Sequence, residues 1–265
     1  MSRNKFPPRP KHDPDSGPVF LYGLHTIRAA LDNPRRTKRR LLATPNALAR
    51  LRESGGVEVP IEETSPRELD RLLGGEAVHQ GAALEVDPVG RLGLGELGAA
   101  RLVVVLDQVT DPHNVGAILR TACAFGADAV LTTARYAPRE TGVMAKAASG
   151  ALDLVPLIEV RNLGEALEEL KGKGLKVLGF DSEAPAPLRP RPGGERLALV
   201  LGAEGRGLRQ KTRSLCDEMV RLEMPGPIKS LNVSNAAAIA LFAATTGEKR
   251  KRSTQPQVPE AASRE

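Results

Sequence analysis

Four short, uninterrupted apolar runs, at 102–106, 129–131, 177–180 and 197–201, constrain the fold more than any other feature of this chain. A strand with one wet face alternates apolar and polar residues, whereas a continuous run suits a strand buried on both faces. The stretches between the runs, such as 163–170, carry helical spacing. Strand–helix alternation of this kind predicts an α/β domain with a mainly parallel sheet. Such sheets bind ligands beyond the carboxyl ends of their strands, so the residues just after each run are where chemistry is expected.

Ahead of these runs lies a smaller pattern. Residues 19–22, 41–43, 57–59 and 82–86 read as short strands. Ile27, Ala30 and Leu31 recur at helical spacing, and Leu69, Leu72 and Leu73 follow a Ser65-Pro66 helix start. Together they define a small N-terminal α/β domain over 17–87. Residues 88–100, with Gly90, Gly93, Gly95 and Gly98, read as a linker, and 101–247 as the main domain, closed by an Ala-rich helix over 235–245. Residues 1–16, rich in proline and charge, are expected to be a disordered basic arm, and 248–265 a disordered charged tail.

At 265 residues the chain is long enough for two cores, and with 3% aromatics and no Trp those cores are aliphatic. Few aromatics also disfavour a sheet that binds single strands by base stacking. The balance of 38 Lys+Arg over 32 Asp+Glu, a net +6, suits a polyanionic partner, although a merely soluble basic protein carries the same surplus. Arg28, Arg35, Arg36, Lys38, Arg39 and Arg40 crowd one stretch, and 249–252 form a second basic cluster. Cys123 and Cys216 stand in unlike contexts, which argues against a disulfide framework or a metal site and for a reducing compartment. No apolar run approaches the roughly 18–20 residues of a membrane span, and the amino terminus lacks the apolar core of a secretory signal. The expected location is the cytoplasm, with no membrane association.

Three polar blocks interrupt the main domain. The first, 107–116, follows the first apolar run and opens a helix on which Ile118, Ala122 and Phe125 share a face while Arg120 points away, as solvated arginines ordinarily do. Asn114 is a candidate N-cap of that helix. The second, Leu201-Gly202-Ala203-Glu204-Gly205-Arg206-Gly207-Leu208, follows the last run. It is neither a triphosphate-cradling loop nor a dinucleotide fingerprint, and a glycine-rich turn explains everything in it but Glu204. The third, 228–236, precedes the Ala-rich helix. Ser234 or Asn235 is the expected cap there, leaving Ser230 and Asn232 free to bind.

In this order the blocks resemble the SpoU (TrmH) family of RNA ribose 2′-O-methyltransferases, within the SPOUT superfamily. Asn114-x-Gly116 with Arg120 matches the first family motif, Gly202-x-Glu204-Gly205 the second, and Ser230-Leu231-Asn232-Val233-Ser234 the third. Tyr22-Gly23-Leu24-His25 and Val78-His79-Gln80-Gly81 are similar to the edges of the substrate-binding domain in the branch that modifies 23S rRNA. The resemblance spans roughly 18–247. It implies a deep trefoil knot in the C-terminal domain and an L30e-like N-terminal RNA-binding domain. It also implies a homodimer, with S-adenosyl-L-methionine as methyl donor and no metal.

Under the same resemblance Asn114, Arg120, Glu204, Ser230 and Asn232 would be catalytic. Leu201, Gly202, Ala203, Leu222, Met224 and Leu231 would hold the cofactor. Family proposals give Arg120 the proton of the 2′-hydroxyl, but a guanidinium stays protonated and is a poor base. Its expected role is instead to clamp a phosphate and polarise the hydroxyl, oriented by the other four residues. Arg35, Arg36, Lys38, Arg39, Arg40 and His25 are the expected RNA contacts. The implied substrate is a guanosine of 23S rRNA, in the peptidyl-transferase P loop. A tRNA D-loop guanosine is the nearest rival, although enzymes of that type commonly lack the N-terminal domain. A non-catalytic RNA-binding protein is the rival from another class.

Overall fold

A computed structural model of the chain describes residues 17–90, 92–190 and 195–246. The expected arm at 1–16, the tail at 248–265 and its cluster at 249–252 lie outside the described residues.

The N-terminal part runs β1 (Val19–Tyr22), α1 (Leu24–Asp32), β2 (Lys38–Ala43), α2 (Pro45–Glu53), β3 (Ile61–Glu63), α3 (Pro66–Leu73) and β4 (Ala82–Val86). Its four strands form a mixed sheet in the order β1-β4-β2-β3. Helix α3 begins on a capping box in which Ser65 accepts from the Glu68 amide while Glu68 reaches back to the Ser65 amide. The two sequence edges of this domain meet: Gln80 Oε1 accepts from Leu24 N, the first amide of α1, at 3.0 Å. The strand expected at 57–59 forms instead at Ile61–Glu63. Pro60 supplies only a carbonyl, to Leu41 N at 2.8 Å, and having no N–H it cannot continue the ladder.

The C-terminal part runs β5 (Leu102–Asp107), α4 (Pro112–Ala124), β6 (Ala129–Thr133), α5 (Gly142–Ala148), α6 (Ala151–Leu154) and β7 (Leu157–Val160). It continues with α7 (Leu163–Gly172), β8 (Lys176–Phe180), β9 (Ala186–Pro187), β10 (Leu197–Gly202), α8 (Gln210–Leu215), β11 (Glu218–Arg221) and α9 (Val233–Thr245). The seven strands form one sheet in the order β7-β6-β5-β10-β8-β11-β9, and every pairing in it is parallel. Each predicted apolar run is a strand, and β5 is buried at all six positions. Burying one Val or Leu side chain contributes roughly 1.5–3 kcal/mol, so the runs that fix the topology also hold it. From β5 the chain adds β6 and β7 on one side, then crosses to β8 beyond β10. The reversal therefore falls beside β5 and β10.

The two parts share one core. A continuous apolar cluster joins Leu21, Ile27 and Ala30 to Met144, Ala148 and Ala151 of α5 and α6. The segment read as a linker, 88–100, packs on the main domain: Leu92 bridges to Ile158, and Leu94, Leu97 and Ala100 are buried under the sheet's other face. Polar residues lock the same interface. Arg36 is buried, with Nε 2.6 Å from Asp153 Oδ1 and Nη1 2.7 Å from Glu140 Oε1. Arg36 Nη2 also donates to Asp153 Oδ2, Asn33 adds a second bond to Asp153 Oδ1, and the Val89 amide donates to Glu140 Oε2. Burial works against the Arg36 charge, but Glu140 and Asp153 more than offset it and hold its pKa above the usual value. Burial pushes the Glu140 carboxyl up, and Arg36 recovers only part of that cost.

Candidate active site

The three polar blocks converge at the carboxyl edge of the sheet. Asp111, not Asn114, caps α4, accepting from the amides of His113 and Asn114, with Pro112 in the first turn. The Asn114 side chain is thereby released for longer-range bonding. Likewise Asn232, not Ser234 or Asn235, caps α9: its Oδ1 accepts from Ser234 N at 2.9 Å. Its amide donates to Asn114 Oδ1 at 3.0 Å and to Glu204 Oε1 at 2.7 Å.

Glu204 Oε1 is the hub of this arrangement. It accepts from Asn114 Nδ2 at 3.3 Å, from Asn232 Nδ2 and from Val233 N at 3.2 Å. The last donor is an orphan amide at the start of a 13-residue helix, where a carboxylate is favoured by the helix dipole. Glu204 Oε2 makes no hydrogen bond among the described residues and is available to a ligand.

The turn carrying Glu204 is closed by backbone. A Cβ on Gly202 would stand 2.2 Å from the Gly207 carbonyl carbon, and Gly207 N donates to Ala203 O at 2.9 Å. Asp107, fully buried at the end of β5, secures the same turn. It accepts from Arg209 N at 3.1 Å and Arg209 Nε at 2.8 Å, and its carbonyl accepts from Ala203 N. Neither Asp107 nor Arg209 was among the predicted site residues. The available signal was a carboxylate ending an otherwise apolar strand.

Against this turn lies a cavity of about 240 Å³ whose lining includes all six predicted cofactor residues, Leu201, Gly202, Ala203, Leu222, Met224 and Leu231, together with Glu204 and Ser230. Phe180, Asp181 and Lys229 join the wall. Apolar side chains and close-approaching backbone suit a flat heterocycle, and Glu204 Oε2 suits a cationic centre, whereas Asp181 is already paired with Arg213. The residues present fit a ligand that combines the two. A larger cavity, about 320 Å³ between the domains, contains Arg35 but none of the catalytic or cofactor candidates.

Arg120 is not part of the hydrogen-bonded cluster. It lies six residues past Asn114, about 9 Å along the helix and about 120° around it, exposed and with no ion pair among the described residues. The expectation that Asn114, Glu204, Ser230 and Asn232 orient it is corrected for the single chain: they bond to one another or line the cavity.

The basic stretch is corrected more sharply. Arg36 is buried at the domain interface and cannot meet RNA. Arg39 pairs with Asp87, and Arg40 pairs with Glu85 and Glu62 across the sheet. Lys38 donates to the Leu31 and Asn33 carbonyls. Of the six expected contacts, only Arg35 and His25 are exposed without a counter-charge among the described residues. Cys216 is no nucleophile, since burial pushes its thiol up to about 11.

The all-parallel sheet and the motif cluster at its carboxyl edge place the chain among α/β proteins with a ligand site at the strand ends. The chain belongs to the SpoU rRNA methylase family, whose model matches residues 101–242, and a model for RNA 2′-O ribose methyltransferase substrate binding matches residues 20–91. Among its relatives, the 23S rRNA (guanosine-2′-O-)-methyltransferase RlmB of Pseudomonas putida is 39% identical over 244 residues, covering 88% of this chain and 98% of that protein. RlmB of Vibrio vulnificus is 36% identical over 236 residues, covering 85% and 95%. A crystal structure of the SpoU methyltransferase AviRb from Streptomyces viridochromogenes, in complex with AdoMet, shares the fold. Its TM-score is 0.72 at 22% identity, covering 86% of this chain and 89% of that one.

Proposed function

We propose that this chain transfers a methyl group from S-adenosyl-L-methionine to the ribose 2′-hydroxyl of a guanosine in 23S rRNA, in the peptidyl-transferase P loop. The observation that carries the chemistry is the Asn114–Glu204–Asn232 cluster fixed beside a cavity fitted to a heterocycle and a cation. The bound cofactor would supply an activated methyl, leaving the protein to align the hydroxyl and manage its proton. Leu201, Leu222, Met224 and Leu231 would hold the cofactor's apolar part, and Glu204 Oε2 would offer a carboxylate to its cationic centre. Arg120, permanently charged, clamps a phosphate and polarises the hydroxyl.

The substrate assignment draws on relatives of 36–39% identity named as 23S rRNA guanosine methyltransferases, matched over nearly their whole length. The matched N-terminal domain favours rRNA over a tRNA D-loop guanosine. The assembled polar cluster favours an enzyme over a non-catalytic RNA binder, which needs no such arrangement.

The working form is a homodimer with each site completed near the interface. Helix α9 is apolar almost all round, yet Ile239 and Phe242 are exposed on it, and Phe242 meets Phe125 edge-on. A partner on this surface would supply the surroundings that Arg120 lacks in one chain. The trefoil knot belongs to the same proposal, supported by the return of Asn232 and Val233 to the Glu204 turn. No described helix is long and apolar enough to cross a membrane, and no metal-binding cluster occurs among the described residues. A cytoplasmic enzyme fits both.

Methyl transfer from tritium-labelled cofactor to 23S rRNA fragments and to tRNA transcripts tests the reading. Incorporation into the rRNA fragment is expected. Incorporation into tRNA alone supports the D-loop alternative, and none into either supports the binder.

A further inference from the structure

Where the sequence crowds its cations, the fold neutralises them; where it scatters them, the fold brings several together. A cavity of about 340 Å³ opens beyond the carboxyl ends of β6 and β7, on the far side of β5 from the Glu204 turn. Strand β6 ends at Thr133 and β7 at Val160, so the chain leaving them delivers Arg135 and Arg161 to one rim. The segment opening α8 delivers Arg209 and Lys211 to the other. No Asp or Glu lines the cavity. Arg135, Arg161 and Lys211 are exposed and pair with no carboxylate among the described residues. Thr133 lines the cavity with a buried hydroxyl that has no hydrogen-bond partner among the described residues. The Arg135 guanidinium lies 5.5 Å from the centre of the Tyr136 ring, giving the rim a flat face beside its charges.

Arg209 is paired with Asp107, but the three unpaired cations on this concave surface repel each other, and an anion with several negative groups relieves that repulsion. The position selects the anion. The cavity shares the carboxyl edge of the sheet with the methyl-transfer site. It is also joined to that site through Arg209, which is bonded to Asp107, whose carbonyl holds Ala203 of the Glu204 turn. We propose that backbone phosphates of the RNA substrate bind here, in contact with Arg135, Arg161 and Lys211, and so fix the path of the strand past the target ribose. This rests on the reading of the chain as an RNA methyltransferase.

The test is the full-length Arg135→Gln/Arg161→Gln/Lys211→Gln variant, with 23S rRNA fragments bound at a series of salt concentrations. Each lost phosphate contact reduces the slope of log affinity against log salt by about 0.7–0.9, so a fall of about 2–3 is expected for three contacts. RNA KM should rise while cofactor affinity and kcat at saturating RNA stay at wild-type values. The Arg135→Lys/Arg161→Lys variant should keep most of the slope, because charge rather than fold is at issue. An unchanged slope and KM in the Gln variant overturn the inference, even if inorganic phosphate raises the melting temperature of wild type only. Should wild type bind the rRNA but transfer no methyl, the proposed function fails while the slope still decides this site.

Discussion

Glu204 Oε1 accepts bonds from Asn114, Asn232 and Val233, three groups that reach the site on two different helices. Glu204→Gln keeps one acceptor oxygen but removes the charge and turns an amide toward the ligand. Turnover should fall by about 10²-fold, the usual scale for losing one preorganised electrostatic group, with little change in melting temperature because the site is open to solvent. Arg120→Lys keeps the charge but loses the planar fork, so RNA affinity and turnover should both fall. Near-normal turnover with unchanged RNA affinity would contradict the clamp. At this scale the sequence drew attention to the residues that meet at the Glu204 turn, but it mistook which side chains cap the two helices. Capping is decided by hydrogen bonds within a few residues, and Asp111 and Asn232 were the better-placed acceptors.

Helix α4 holds the first motif by lying unusually close to α5. A Cβ on Gly116 would meet the Met144 carbonyl oxygen at 2.4 Å and Ala147 Cβ at 2.8 Å. Gly116→Ala must push backbone apart and should cost about 1–3 kcal/mol, as overpacking does, read as a lower urea midpoint at constant slope. Gly98→Ala, where no other atom lies within 4 Å, should leave the midpoint nearly unchanged. Equal effects at the two positions would show that helix contact is not the cause. Most elements were legible beforehand because burial on both faces of a parallel sheet leaves continuous apolar runs. The role of Gly116 as a contact was not, since nothing in a local pattern tells which helix packs on which.

Across the whole molecule, a shared core and the buried Arg36 cluster join the two domains. Arg36→Met strands Asp153 and Glu140 without their cation, and removing one partner of a buried pair costs about 3–5 kcal/mol. The melting temperature should drop by roughly 10 °C at this domain size, and Arg36→Met/Asp153→Leu should recover part of it. An exposed RNA-contacting arginine would show neither effect. This residue was misread because its counter-charges stand 104 and 117 residues away, a separation no inspection of the basic stretch could bridge. The same blindness to distance hid the convergence of Arg135, Arg161 and Lys211.

The account stands or falls on where the methyl goes. A 2′-O-methyl group removes the nucleophile of alkaline strand cleavage, so the modified linkage in 23S rRNA should survive alkali. Alkaline hydrolysis of rRNA labelled by the wild-type protein should therefore release the label in a dinucleotide whose 5′ residue is guanosine. Label released in mononucleotides would place the methyl on a base and contradict the assignment of this site to the ribose.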